Sequence, residues 1–374
     1  MVDDLLGVGI LGAGWITRAH ALAIRTLPVV APVGRPVGIP ILAARDRERA
    51  QAMAATIGAD RVTTDWREVV EDPAVHVVAN LMGVAAHREA TEAALALGKP
   101  VLCEKPLGVD RFEARSMASA ARAAGVQAVT GFNYRFIPAM RLARDIALSG
   151  ALGDIVHFRA AYLQDYAAVP APLLPHNGSR AVTDYAHIAD FLHYVGGEAE
   201  AVQATAAKLT GDGPDVEDAY VAAIDLRGGG IGSLEASRVA RGWKGRQVVE
   251  LDGTLGSFWW DMEDLNRLHV FYAADEAAGT GGFRDVLVTQ GDHPYVARWW
   301  PPGHTLGWES TFVHEWHDFL AAVVAGEPVQ AHQATFDDGE RAAVLCDAIL
   351  ASAREGRRVR ISEMTPAEQG VGPA

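Results

Sequence analysis

The feature that most constrains the fold is a regular alternation of short apolar strands and alanine-rich helical segments over the first third of the chain. LLGVGIL (5–11) and IPILAA (39–44) are apolar throughout, and KPVLC (99–103) is apolar after Lys99. Such runs predict strands that are buried on both faces, as in a parallel sheet covered by helices. We therefore predict a doubly wound α/β domain over residues 1–131.

The pattern changes after residue 131. Segments such as DAYVAAIDL (218–226) and GIGSLEASR (230–238) are strand-like and are separated by glycine-rich turns. A helix is predicted over residues 182–195, and the last long helix over 335–356. Residues 132–374 are thus predicted to form a second α/β domain built on a large, mainly antiparallel open sheet.

Bulk properties exclude several classes of protein. The chain of 374 residues has a net charge of −14, which argues against nucleic acid as a partner because phosphate binding needs a basic surface. Its two cysteines are too few for a disulfide framework or a cysteine-based metal site. Asp3 and Asp4 occupy the place where a signal peptide carries positive charge, and no apolar run is long enough to span a membrane. We expect a soluble cytoplasmic protein.

A glycine turn follows the first strand in GILGAGWITRAH (9–20). Gly12 and Gly14, with Trp15 and Ile16 after them, lie between a strand and a helix, where backbone N–H groups bind a pyrophosphate. The turn predicts a Rossmann fold that binds a dinucleotide. Thr17 replaces the third small residue of the pattern, which predicts a slightly looser contact between helix and strand.

The end of the second strand bears on the choice of dinucleotide. An acidic residue there accepts from the ribose hydroxyls of NAD, whereas this strand ends in Ala43-Ala44-Arg45-Asp46. Arg45 offers a cation to a 2′-phosphate and favours NADP over NAD. The alternative is that Arg45 is a solvated charge and Asp46 only a helix N-cap.

Four further segments carry a family resemblance. They are Glu104-Lys105-Pro106 at the end of a predicted strand, GFNYRF (131–136), TDYAHIADFLHYVGG (183–197) and ELDGTLGSFWW (250–260). Together with the glycine turn, this set resembles the Gfo/Idh/MocA family of NAD(P)-dependent sugar and inositol oxidoreductases, over nearly the whole chain.

The resemblance implies roles for particular residues. Lys105 would bind the reacting oxygen, His187 would be the general acid/base and Asp184 its carboxylate partner. The remaining implied contacts are those of His87 and Glu104 with the cofactor and of Asn133, Tyr134 and Arg135 with the substrate. Imidazole titrates near neutrality and an ammonium stabilises a developing alkoxide, so these residue types suit hydride loss from an alcohol.

The chain departs from the family pattern at two places. Only Tyr185 and Ala186 separate Asp184 from His187, where the family has three residues, so that Thr183 takes the family position if no deletion is allowed. On a continuous helix either spacing keeps the two side chains on one face. The segment LMGVAAH (81–87) replaces a Thr-Pro-Asn sequence, although His87 is retained.

Other polar and aromatic residues have structural interpretations beside functional ones. His187 itself is open to interpretation as a hydrogen-bonded core histidine, as are Asp190 and His193 on the same segment. His314 and His317 have helical spacing that suits a metal, but no third ligand is evident, so no metal is predicted. In RWWPPGHTLGWE, one of Trp300, His304 or Trp308 is predicted to approach the substrate.

The predicted function is NAD(P)-dependent oxidation of a secondary hydroxyl on a sugar, an anhydrosugar or an inositol. Two alternatives stay open, namely a sensor of sugars or nucleotides that has the fold without turnover, and a reductase of a keto sugar or imine. A broad open sheet also predicts a homodimer or homotetramer.

Overall fold

The computed structural model describes residues 5–168, 180–210 and 215–365, so Asp3 and Asp4 lie outside the described residues. The chain forms two compact units. The first comprises residues 1–145, 265–268 and 285–340, and the second comprises residues 146–264, 269–284 and 341–374.

The strands are β1 (Leu6–Leu11), β2 (Val37–Gly38), β3 (Ile41–Ala43), β4 (Arg61–Thr63), β5 (Val77–Asn80), β6 (Val101–Glu104), β7 (Ala128–Gly131), β8 (Ile155–Leu163), β9 (Ala199–Ala207), β10 (Ala219–Leu226), β11 (Ile231–Ser237), β12 (Arg246–Gly253), β13 (Gly256–Asp261), β14 (Arg267–Tyr272), β15 (Arg284–Leu287) and β16 (Val359–Arg360). The α-helices are α1 (Trp15–Val30), α2 (Arg47–Ile57), α3 (Trp66–Glu71), α4 (His87–Ala96), α5 (Arg111–Ala124), α6 (Pro138–Leu148), α7 (Ala181–Asp184), α8 (Ala186–Phe191), α9 (Ser310–Ala325), α10 (Phe336–Glu355) and α11 (Ile361–Met364).

The sheet of the first unit is parallel, as predicted. Its strand order is β4-β3-β1-β5-β6-β7, with β2 paired to β1. All residues of β1, β5, β6 and β7 are buried, which explains their continuous hydrophobicity. The carboxyl ends of β1, β5 and β6 lie at one edge of the sheet, where ligands of such folds gather.

The first unit also contains a segment from beyond the predicted boundary at residue 131. Helix α9 packs its apolar face against α1, with Phe312, Trp316 and Phe319 in one buried cluster with Ile24 and Leu27. Residues 285–340 therefore join the first unit, because burial of this apolar face stabilises the packed helices.

The second sheet is mixed and mostly antiparallel. Its nine strands run in the order β15-β14-β13-β12-β8-β11-β10-β9-β16, and β8 with β11 is a parallel pair. Burial alternates along β10, where Tyr220, Ala222 and Ile224 are buried while Val221 and Ala223 are exposed. One face is thus covered and the other is open, and the predicted α/β fold class is confirmed.

Candidate functional site

The glycine turn between β1 and α1 has the shape of a phosphate cradle. Gly12 has a φ of +111°, and a Cβ there would lie 2.5 Å from the carbonyl oxygen of Leu81, so only glycine fits. Gly14 is extended, and a Cβ at Gly14 would meet no atom within 4 Å. Within the described residues no side chain caps the start of the 16-residue helix α1. Open space and free N–H groups at a helix N-terminus fit a pyrophosphate.

The residues after the turn differ in exposure. Thr17 is fully buried and its hydroxyl donates to the carbonyl oxygen of Gly12 at 3.0 Å. This hydrogen bond ties the helix to the turn, and the looser contact between helix and strand expected from Thr17 stays a prediction. Ile16 is half-buried, whereas 67% of Trp15 is exposed. The indole of Trp15 lies against that of Trp308, with ring centroids 6.1 Å apart.

The end of the second long strand, β3, presents two arginines near the turn. Asp46 caps α2 by accepting from the backbone N–H of Arg49 at 2.8 Å, as its structural interpretation predicted. Arg45 is exposed. The Nε of Arg49 donates to the carbonyl oxygen of Ala13 at 3.0 Å, which brings a second cation to the glycine turn. Sequence analysis did not name Arg49. Its position in the first turn of α2, soon after the end of β3, could have indicated that it lies near the glycine turn.

Lys105 follows β6 at the carboxyl edge of the sheet. It is half-buried, and the peptide bond to Pro106 is cis. Glu104 is 8% exposed, and its Oε2 accepts from the backbone N–H of Lys105 at 2.9 Å. The other oxygen, Oε1, lies 2.9 Å from Nε2 of the buried His20. Lys105 is thus placed at the predicted edge of the sheet, and its backbone is held by the carboxylate beside it.

His87 joins the loops that follow β5 and β6. Its Nε2 lies 3.0 Å from the carbonyl oxygen of Met82, and its Nδ1 lies 3.1 Å and 3.2 Å from those of Pro106 and Leu107. Burial lowers the pKa of His87, but interaction with the side chain of Cys103 and hydrogen bonds to the carbonyl oxygens of Met82 and Leu107 outweigh burial and raise the pKa to about 9. Two ring nitrogens that both face acceptors favour an imidazolium, which donates from both.

The GFNYRF segment forms a buried turn over Asn133–Phe136. The amide of Asn133 donates to the hydroxyl of Thr311 at 2.8 Å. Arg135 is 2% exposed, donates to the carbonyl oxygen of Gln333 and lies 3.3 Å from a carboxylate oxygen of Asp338. Tyr134 is buried as well. Their predicted contact with substrate stays a prediction.

The predicted helix over residues 182–195 is interrupted in the second unit. Helix α7 ends at Asp184, Tyr185 has φ −96° and ψ 27°, and α8 begins at Ala186. A π-helix over Leu192–Gly196 follows. Asp184 and His187 therefore do not share a continuous helix, and the predicted pairing of their side chains stays a prediction.

Aromatic side chains surround this pair in the second unit. His187 is 5% exposed and lies 6.4 Å from the ring of Tyr162. The hydroxyl of Tyr166 donates to Oδ2 of Asp184 at 2.6 Å. Burial and the charge of Asp184 raise the pKa of Tyr166, while the nearby Arg238 opposes the shift. Tyr166 thus keeps its proton at neutral pH and is an acid that the sequence analysis did not name.

The side chain of Thr183 has a local partner. Its hydroxyl donates to the carbonyl oxygen of Arg180 at 3.4 Å, one turn earlier in the chain. Asp190 and His193 are both largely buried, and His193 lies 3.5 Å from a carboxylate oxygen of Glu198. The structural interpretation of His193 stays a prediction.

The paired histidines of α9 are both hydrogen-bonded. The Nε2 of His314 accepts from the indole N–H of Trp299, and its Nδ1 donates to the carbonyl oxygen of Phe136. Burial lowers the pKa of His314 to about 4, so the ring is neutral. The Nδ1 of His317 lies 2.9 Å from Asp318. Among the described residues there is no cluster of three groups that would hold a metal ion.

The tryptophan-rich loop offers three candidate substrate contacts. Trp308 packs on Trp15 and edge-on to Phe312, and 52% of Trp300 is exposed. The Nδ1 of His304 lies 2.9 Å from the carbonyl oxygen of Pro301. Substrate contact by one of the three stays a prediction.

No helix within the described part of the chain is long and apolar enough to cross a bilayer.

Comparison with known families and proteins matches both parts of the chain. Residues 6–132 match the model of an oxidoreductase family with an NAD-binding Rossmann fold, and residues 140–259 match the GFO/IDH/MocA C-terminal domain. Levoglucosan dehydrogenase from Pseudarthrobacter phenanthrenivorans is 34% identical over 96% of this chain and 99% of that protein. Mouse (Mus musculus) trans-1,2-dihydrobenzene-1,2-diol dehydrogenase is 33% identical over 43% of this chain and 47% of that protein.

Solved structures resemble the fold over the same length. A levoglucosan dehydrogenase in complex with NADH and levoglucosan has a TM-score of 0.90 and 34% identity, covering 96% of this chain and 99% of that one. An oxidoreductase domain protein from Kribbella flavida has a TM-score of 0.90 and 36% identity at the same coverage. The predicted resemblance is confirmed, and the chain belongs to the Gfo/Idh/MocA family of oxidoreductases with an NAD-binding Rossmann fold.

Proposed function

We propose that this protein oxidises a secondary hydroxyl of an anhydrosugar, a sugar or an inositol with a nicotinamide dinucleotide as the hydride acceptor. The observation that carries the proposal is the 34% identity to levoglucosan dehydrogenase over 96% of this chain. Glu104-Lys105-Pro106 at the carboxyl end of β6, and the open space over Gly14, support it.

Different residues of the chain bind the cofactor, bind the reacting oxygen and transfer the proton. Gly12 and Gly14 hold the pyrophosphate, and the bound nicotinamide supplies the hydride acceptor. The ammonium of Lys105 binds the reacting oxygen and stabilises the alkoxide that develops on it. His187 takes the hydroxyl proton as general base, and Asp184 orients its imidazole. Lys105 belongs to the first unit and His187 to the second.

The choice of cofactor is the finer question. A related levoglucosan dehydrogenase was solved with NADH, which favours NAD. Arg49, which donates to the carbonyl oxygen of Ala13 in the glycine turn, and the exposed Arg45 after β3 favour NADP, because guanidinium groups bind a 2′-phosphate. Titration calorimetry with each cofactor, on the wild type and on Arg45→Ala, decides between them. A role in NADP binding requires that Arg45→Ala weaken NADP binding at least 10-fold more than NAD binding.

The function is tested by following reduced nicotinamide while the protein is incubated with NAD or NADP and a panel of polyols. The panel holds levoglucosan, myo-inositol, glucose and xylose. Turnover of at least one member is the expected result. Tight cofactor binding without turnover of any member would contradict the proposal and favour the sensor.

Reduction of a keto sugar is a second candidate. The 1,5-anhydro-D-fructose reductase of Ensifer adhaerens is 33% identical over 67% of this chain and 74% of that protein. The same lysine and histidine would then deliver a proton to the alkoxide instead of removing one. Comparing kcat/KM for the alcohol with NAD and for the ketone with reduced cofactor separates the two directions.

A further inference from the structure

Three buried side chains of the first unit form a hydrogen-bonded chain behind Lys105. Trp316 of α9 and His20 of α1 are both fully buried, and Glu104 of β6 is 8% exposed. The indole N–H of Trp316 donates to Nδ1 of His20 at 2.9 Å. Nε2 of His20 lies 2.9 Å from Oε1 of Glu104, whose Oε2 accepts from the backbone N–H of Lys105.

The chemistry of these groups allows one arrangement of protons. An indole N–H only donates, so Nδ1 of His20 must present a lone pair and the ring proton lies on Nε2. That proton is then donated to Glu104. A carboxylate accepts at both oxygens and therefore satisfies His20 and Lys105 together. The ring of His20 is also held edge-on to Phe312, with centroids 5.0 Å apart.

We propose that Trp316, His20 and Glu104 are positioning residues that fix the backbone of Lys105, so that its ammonium reaches the substrate hydroxyl. The inference rests on the proposed function for the role of Lys105. It adds that α1 and α9, which carry no predicted catalytic residue, set the geometry of that role. In this hydrogen-bonded chain, the side-chain N–H of Trp316 donates to His20, and that of His20 donates to Glu104.

The order of donors supplies a specific test through Glu104→Gln. An amide has one acceptor and one donor side, so in this variant either His20 or the N–H of Lys105 faces a donor. His20 can relieve the clash by moving its proton to Nδ1, but the indole N–H of Trp316 blocks that tautomer. Trp316→Phe removes the block. The second substitution should therefore rescue the first.

The experiment measures kcat and KM on the wild type, both single variants and the double variant, using whichever substrate the panel identifies. We expect Glu104→Gln to lower kcat at least 30-fold with KM changed less than 3-fold. Trp316→Phe should lower kcat less than 5-fold, and the double variant should recover at least 10-fold over Glu104→Gln. If the double variant shows no rescue, and its loss of kcat is the product of the losses in the two single variants, the inference is overturned. Glu327→Gln, at an exposed position after α9, is the control with unchanged kcat.

A second readout does not need turnover. The rate of reductive methylation of Lys105 with formaldehyde and cyanoborohydride, followed by mass spectrometry, should change at least 3-fold in Glu104→Gln and return toward the wild-type rate in the double variant. Rescue of labelling in a protein that oxidises nothing would leave this inference standing and refute the proposed function. Turnover by the wild type without rescue in either readout would refute the inference alone.

Discussion

At the scale of single residues, two buried titratable groups of the first unit have raised pKa values, and the stability linked to each falls as the pH rises. His87 gains a proton on folding because three carbonyl oxygens and Cys103 surround it. Glu315 is 1% exposed, and burial together with the charge of Glu104 raises its pKa well above the ordinary value. Each group therefore makes a prediction about stability that is independent of the reaction.

We predict that His87 stabilises the protein at neutral pH and loses this effect in base. Its pKa is raised from 6.5 to about 9, so the contribution is complete below pH 6.5 and lost as the pH rises through 9. At 1.36 kcal/mol per unit, the stability of the wild type relative to His87→Gln should fall by about 3 kcal/mol across that window. Urea unfolding of both proteins between pH 6 and 10 measures it, and a difference that stays constant with pH would contradict the assignment.

Glu315 responds to pH in the same direction, but in a lower pH range, so that at neutral pH its burial costs stability. A carboxyl whose pKa is raised on folding allows full stability only below its unfolded pKa of 4.5, and this stability is lost as the pH rises. Glu315→Gln is therefore expected to raise the free energy of unfolding at pH 7. The gain should vanish near pH 4, and the exposed Glu327→Gln should show none. A loss of stability at pH 7 would refute the prediction.

Sequence analysis identified the residues near the site better than the partners that hold them. Lys105, Gly12 and Gly14 are marked by local motifs, and each lies at the carboxyl edge of the parallel sheet. His20, Trp316 and Tyr166 went unnamed because they act through contacts between segments that are distant along the chain. Trp316 and His20 are 296 residues apart in sequence. A histidine on the apolar face of α1 was the one signal that pointed to this chain of contacts.

At the scale of elements, the two glycines before α1 have different roles: one is required for folding and the other for binding of the dinucleotide. Gly12 needs its left-handed backbone and has no room for a Cβ, whereas Gly14 has an ordinary φ of −79° and open space. Sequence alone presents the two glycines as equivalent members of one motif. Their different roles depend on Leu81, which follows β5 and comes near the turn only in the folded sheet.

The two glycines therefore make a matched pair of variants. Gly12→Ala is expected to destabilise the protein by about 2 kcal/mol or more, because strain and a backbone clash combine. Gly14→Ala should leave the melting temperature within about 2 °C of the wild type, yet weaken dinucleotide binding at least 10-fold by filling the cradle. Differential scanning fluorimetry and calorimetric titration measure both properties. Equal behaviour of the two variants would contradict the assignment.

The segment around His187 shows where pattern analysis of an element fails. Apolar and polar residues over 182–195 predict one helix, but the chain breaks at Tyr185 and continues as a π-helix from Leu192. Tyr185 is 2% exposed and packs against Tyr162, so tertiary burial of its ring overrides the local helical preference. Such interruptions are frequent at functional sites.

At the scale of the whole molecule, both sheet types were predicted from hydrophobic periodicity, whereas the division of the chain was not. Residues 285–340 join the first unit through α9, whose apolar face matches α1. Periodicity shows that α9 has a buried face but does not show which surface it contacts. Contacts between such distant segments follow from packing and not from spacing along the chain.

We predict a homodimer or homotetramer that uses the open face of the second sheet. Val221 of β10 and Ile231 of β11 lie on this face, with 56% and 59% of their surface exposed. The double variant Val221→Asp/Ile231→Asp should lower the mass measured by light scattering to that of one chain, because buried unpaired charges are costly at an interface. Leu97→Asp, on an exposed position of the first unit, is the control. An unchanged oligomer in the sheet variant would show that another surface is used.

The measurement that tests the central claim most directly compares Lys105→Met with Lys99→Met. The two lysines flank β6 at opposite ends, and Lys99 donates to the carbonyl oxygen of Asp72 away from the carboxyl edge. With the substrate that the panel identifies, Lys105→Met should lower kcat about 100- to 10,000-fold. Lys99→Met should stay within about twofold of the wild type. Turnover by Lys105→Met within a few-fold of the wild type would contradict the account.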